Sequence, residues 1–204
     1  MTETQRPVNT SIAVLGTLAD FHRQPIPYNL GALMALVRRI QPDLLCLDLT
    51  PEQWRDQAFA DLPPEYREAL LPLARQSDIV VIPIAGDCPP PEPNATGWRA
   101  GVLRWAMAGL AIRYRSAPDP TSANRGWRHD LANGLYEVIG RLAGSGLRED
   151  WRNHIAHLTQ QVLVTARRDP GSRILVAVNV RCCHHIRHAL RDQPDLRVVD
   201  FSEL

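Results

Sequence analysis

The chain has 204 residues, a net charge of +1, and is 45% hydrophobic and 22% charged. This is the profile of an ordinary soluble globular protein, with no whole-chain electrostatic case for nucleic acid or an anionic membrane. All 23 basic residues are arginine, which excludes a Schiff-base lysine, a P-loop lysine and a lysine general base. The N-terminal MTETQRPVNTS lacks the apolar stretch of a signal peptide and no apolar run approaches membrane-spanning length, so a cytoplasmic protein is expected. Four cysteines, Cys46, Cys88, Cys182 and Cys183, are too few for a disulfide framework.

Residues 1–10 read as a disordered lead-in. Ser11 to Thr17 is a first strand, followed by a loop carrying Asp20 and His22. Leu30, Leu33, Leu36, Val37 and Ile40 recur at helical spacing, with Asn29 as N-cap. Leu44 to Leu49 is a second strand, and Thr50-Pro51-Glu52 opens a helix. Prolines break residues 52–76 into two or three short helices. Asp78 to Ala85 is a third strand, in which Pro83 implies an edge position or an irregular end because proline donates no ladder bond. Two helical patterns, around Trp98 to Arg115 and Leu131 to Leu142, are joined by a loop, SAPDPTSANRG. Trp98, Val102, Trp105, Gly109 and Ile112 share a face; aromatic residues at this spacing read as core rather than as a membrane-surface helix. A long helix over Glu149 to Arg168 leads to a buried strand, Arg173 to Val180, then a Cys-Cys-His-His corner, a short helix, and a last strand, Leu196 to Phe201. The order implies one α/β domain over 1–204: a three-layer sandwich with a mostly parallel central sheet and a helical insert at 98–145.

In a parallel sheet the carboxyl ends of the strands share one edge, where ligands sit. The chain places there Gly16, Thr17, Asp20 and His22, then Asp48, then Asp87, then Cys182 to His185. Carboxylates with imidazoles and thiols suit a divalent transition metal, with Asp48, Cys183 and His184 as candidate ligands. The alternative is that the aspartates only cap the elements that follow. His185 and His188 read as helix surface, with Ile186, Ala189 and Leu190 inward; His154 and His157 read as surface or packing residues. No G-x-S-x-G, G-x-G-x-x-G or Walker A sequence is present.

VLGT, PDLLCLDL, EDWRNHIAHL and RILVAV with HHIRHAL together resemble the TraB/PrgY, ChaN-like, erythromycin-esterase-like and Tiki clan over roughly residues 11–87 and 147–201. The clan pattern has G-T-x-H, P-D-x-x-x-x-E, R-D and G-x-x-H. Here Gly16, Thr17, Pro42, Asp43 and Arg152 match, whereas Ala19, Asp48, Asn153 and Cys183 or His184 stand at the other polar positions. The resemblance implies a metal-dependent peptidase or hydrolase, or a relative that binds a ligand such as haem.

Two readings follow. In the first, Asp48 with Cys183 or His184 holds a metal, Asp20 or His22 replaces the missing histidine, Arg152 stabilises an oxyanion, and Gly16, Thr17 and Asp87 contact the ligand. In the second, the chain is a non-catalytic module for a small-molecule or peptide ligand or a protein partner. The lost histidines tilt the balance slightly toward a diverged, inactive member. Neither reading calls for nucleic acid or a membrane, and a homo-oligomer is compatible with both.

Overall fold

A computed structural model of the chain describes residues 10–86, 97–116, 119–124 and 126–204. Five strands, β1 (Ser11–Thr17), β2 (Leu44–Leu47), β3 (Val80–Pro83), β4 (Arg173–Asn179) and β5 (Arg197–Val198), form one sheet in the order β3-β2-β4-β1-β5. All four pairings are parallel, and helices flank the sheet, giving an α/β sandwich. Ile174 to Val178 are wholly buried, as the middle strand of a sheet covered on both faces requires. The strand with Pro83 lies at the edge, where its missing N–H disturbs no ladder.

Local chemistry sets the helix starts. Helix α1 (Leu30–Ile40) is capped by the Asn29 side chain, which accepts from Ala32 N. Helix α2 (Pro51–Arg55) opens with a complete capping box between Thr50 and Gln53. After Pro63 and Pro64 a π-helical turn (Glu65–Leu70) runs into α3 (Leu71–Arg75). The helical segment that follows holds α4 (Trp98–Arg115), α5 (Pro120–Asn124), α6 (Gly126–Ala143) and α7 (Ser145–Arg168); α8 (Val180–Arg191) leaves β4 directly. No helix among the described residues is long and apolar enough to cross a membrane.

Several expectations change: β3 pairs only over Val80–Pro83, and the segment expected as a loop between α4 and α6 holds α5. β2 stops at Leu47, because Leu49 N bonds back to Leu47 O and bends the chain at Asp48. β5 pairs over two residues only, since the chain turns where Asp200 accepts from Ser202 N. The Cys-Cys-His-His segment is not a corner but the first turns of α8. On α4 the residues taken for core are outside: Trp98, Trp105 and Ile112 are exposed, and the buried face is Ala106, Leu110 and Tyr114. Helical spacing says which residues share a face, not which face is covered.

The short β5 leaves half of β1 without a strand on the side away from β4, and side chains complete the ladder there. Thr10 O and Ile12 O accept from Arg197 N and Val199 N. Beyond them Val14 O accepts from Arg187 Nη2 at 2.9 Å. Gly16 N then donates to Asn124 Oδ1 at 2.5 Å, and Gly16 O accepts from Asn124 Nδ2 and the Tyr28 hydroxyl. The Asn124 amide stands in for the missing strand.

Candidate functional site: a cationic cleft between three helices

The parallel sheet gathers the strand ends at one edge, as expected, but most of the residues there serve the fold. A Cβ on Gly16 would lie 2.7 Å from Asn124 Oδ1 and 2.9 Å from Val180 Cα, so glycine is needed for β1 to meet α8. His22 is buried; its Nδ1–H donates to Tyr28 O at 2.8 Å and its Nε2 accepts from Leu18 N at 2.9 Å. Both ring nitrogens are occupied by backbone, and burial lowers the imidazole pKa to about 4, which makes it a neutral structural histidine. Asp20 is on the surface, 3.9 Å from Arg23. Asp87 lies outside the described residues.

Thr17 is wholly buried beside Glu65, an acid that spacing did not single out. Glu65 Oε1 accepts from Ala19 N at 3.2 Å, while Oε2 and the Thr17 hydroxyl lie close without a well-formed hydrogen bond. Burial raises the Glu65 pKa. A proton on Oε2 would satisfy both oxygens, so the neutral acid fits this site.

Asp48 projects from the bend after β2 and pairs with His154 of α7, Oδ2 to Nε2 3.0 Å. The thiol near it is Cys182, not Cys183: burial first, then the Asp48 charge, raises the Cys182 pKa well above the ordinary thiol value. Successive helical residues point about 100° apart, so Cys183 turns into the core and His184 turns out. Cys183 is buried, donates to Val180 O, and is pushed up to about 12 by burial; His184 is exposed. Asp48, Cys183 and His184 therefore do not converge. Among the described residues no three His, Cys, Asp or Glu side chains are placed to hold a metal ion. The donor set does not fit the metal read from the sequence.

Two of the sequence candidates, Arg152 and His184, meet elsewhere, in a cleft of about 810 Å³ walled by α6, α7 and α8. Its lining includes Arg148, Arg152, Arg181, His184 and His185, and one carboxylate, Glu137. The Arg181 guanidinium lies 3.8 Å above the Trp151 ring centroid and 5.9 Å from that of Tyr136. This geometry holds a half-buried cation by ring quadrupoles instead of a counter-charge; burial lowers the Arg181 pKa. Tyr136 is pushed up to about 12, chiefly by burial, and its hydroxyl is 3.2 Å from that of Tyr114. Arg148 and Arg152 form no ion pair with a described side chain. Two further donors of lining residues, Trp151 Nε1 and Asn133 Nδ2, are buried without an acceptor. Leu147 and Ile155 supply apolar wall. The volume lies in the range of clefts that take small molecules.

Sequence reasoning missed Arg148, Trp151, Arg181, Glu65 and Asn124. The first three meet across α7 and α8 and leave no spacing signature. Asn124 did leave one: Asp119 precedes Pro120 and its carboxylate accepts from Ser122 N at 2.7 Å, a helix start that D-P-T-S spells out. No family model, no curated protein and no solved structure matches the chain, so the likeness to the TraB and Tiki clan rests on the motifs alone.

Proposed function

We propose that this chain is a binding module for a small organic anion, seated in the cleft between α6, α7 and α8. The observation that carries the reading is the excess of cations over carboxylates: among the described residues, Arg148, Arg152 and Arg181 line the cleft with one carboxylate, Glu137. A carboxylate or phosphate accepts bidentate bonds from guanidinium forks and gains more in a partly desolvated site than on open surface. Trp151, Tyr136, Leu147 and Ile155 suit a flat or apolar body attached to that anionic head. This is the non-catalytic side of the clan resemblance.

Hydrolysis has one observation in its favour, the Asp48–His154 pair at the strand edge. The thiol beside it is kept protonated by burial and by the Asp48 charge, the reverse of an activated nucleophile, and binding is the reading we prefer. The test is titration calorimetry with benzoate, phenyl phosphate and the neutral analogue benzamide. The anions are expected to bind and benzamide to fail, with Arg152→Ala weakening the anions by about tenfold or more. Equal binding of benzamide, or no anion binding at millimolar concentration, would overturn the proposal.

A further inference from the structure

The exposed stripe of α4 has a regular order. Trp98, Trp105 and Ile112 recur every seven residues and are 71%, 69% and 67% exposed. Gly101, Ala108 and Arg115, each three residues further on, are exposed too. Positions seven apart, each followed by one three residues later, form the seam a helix uses to meet another helix. Of the seven exposed large apolar side chains among the described residues, five lie on α4 and α6, the others being Val80 and Val164. On α6 they are Leu131 and Val138, a turn either side of Leu135, whose Cδ1 lies 3.6 Å from where a Cβ on Gly109 would sit. Single exposed apolar residues are ordinary; their concentration on one pair of packed helices marks an interface.

The sizes along the seam identify its occupant. When two such helices run antiparallel, each first-type position faces a second-type position of the other. For two copies of α4 related by a two-fold axis between residues 106 and 107, Trp105 faces Ala108 of the second copy. Ile112 then faces Gly101, and Trp98 faces Arg115, a pairing of indole and guanidinium. Every large side chain meets a small one or a cation that stacks on it. In this register Arg104, Arg113 and Arg115 do not face one another, so the lack of acidic residues on α4 does not oppose it. The five apolar side chains expose roughly 600 Å² per copy, against about 800 Å² per partner in a standard interface; Gly101, Ala108 and Arg115 add to the former. A two-fold axis requires a self-complementary patch, and this one is. We infer that the α4 face, flanked by Leu131 and Val138, is a homodimer interface filled by a second copy of this chain.

The experiment is sedimentation velocity over a concentration series on the full chain, Trp105→Ala, and the swap Trp105→Ala with Ala108→Trp. Trp105 is exposed, so the variants should fold, and circular dichroism checks this. The wild type is expected to dimerise reversibly, Trp105→Ala to weaken the dimer about thirtyfold, and the swap to recover most of that loss by re-forming the large-against-small layer. A wild type that stays monomeric, a dimer indifferent to Trp105→Ala, or a swap no better than the single variant would overturn the inference. So would a monomer that sediments with phosphatidylglycerol vesicles and loses this with Trp105→Ala, which would give the face to a membrane surface.

Discussion

Replacing Asn124 by alanine tests whether one side chain substitutes for a strand. The wild-type amide is fully buried and makes three bonds: it accepts from Gly16 N and donates to Gly16 O and Pro120 O. In Asn124→Ala the Gly16 carbonyl keeps the Tyr28 hydroxyl, but the Gly16 N–H is left in the interior without an acceptor. An orphaned buried donor costs about 1–3 kcal/mol, and the lost amide volume and the two weakened carbonyls bring the expected total to about 2–4 kcal/mol. With a urea slope of about 2 kcal/mol per molar for a chain of this size, the unfolding midpoint falls by about 1–2 M. Asn124→Asp separates the terms: it keeps the acceptor for Gly16 N–H but loses both donated bonds and buries a carboxylate, so it should be worse than alanine at neutral pH and recover on acidification. Amide exchange gives a local readout, since Gly16 N–H should lose protection in Asn124→Ala while the β1–β4 ladder keeps its own. A loss of stability below about 0.5 kcal/mol, or unchanged Gly16 exchange, would refute the reasoning.

Two titrations at the same sheet edge should pull stability in opposite directions. Burial depresses His22 from 6.5 to about 4, so its contribution is present above the unfolded value and is lost as pH falls through about 4. It is worth at most roughly 3 kcal/mol; urea midpoints measured across that window should show a slope that His22→Gln flattens, and an unchanged slope would discard the buried-imidazole account. Glu65 is raised by burial, so its contribution is complete below the unfolded carboxyl value and is lost as pH rises through the folded one. Glu65→Gln, which keeps an acceptor for Ala19 N, should therefore be more stable than wild type at alkaline pH and no better in acid; destabilisation at alkaline pH would show that the ionised carboxylate is the favoured form.

The fold was legible because its signals are local. The apolar run Ile174 to Val178 suits a strand covered on both faces, Pro83 points to an edge or an irregular end and its strand lies at the edge, and Thr50 with Pro51 opens a helix. The cleft was not, because Arg181 and Trp151 find each other through the packing of α7 on α8, thirty positions apart in sequence. In the sequence His154 has only its weak spacing to His157, whereas its partner is Asp48, 106 residues away. The error on α4 has a different cause: the helix carries two apolar stripes, and the bulkier one, with both tryptophans, is the one left uncovered. Side-chain size favours the exposed stripe, yet the quieter stripe of Ala106, Leu110 and Tyr114 closes the core. The expectation at His22 failed because a histidine in a loop at a strand end looks chemical until its two nitrogens are seen to tie that loop together.

The strand order also dictates a sequence of events during folding. Apart from the Tyr28 hydroxyl on Gly16 O, the hydrogen-bonding partners of β1 come late: β4 and β5 on either side, and Asn124 and Arg187 where β5 falls short. Of these five strands β1 is made first yet is among the last to be paired, and only β2 and β3 can meet before β4 has been made. Such long-range closure slows folding and leaves an apolar strand waiting. A chain cut short ahead of β4 would keep all three early strands and still have no sheet to put the first one in.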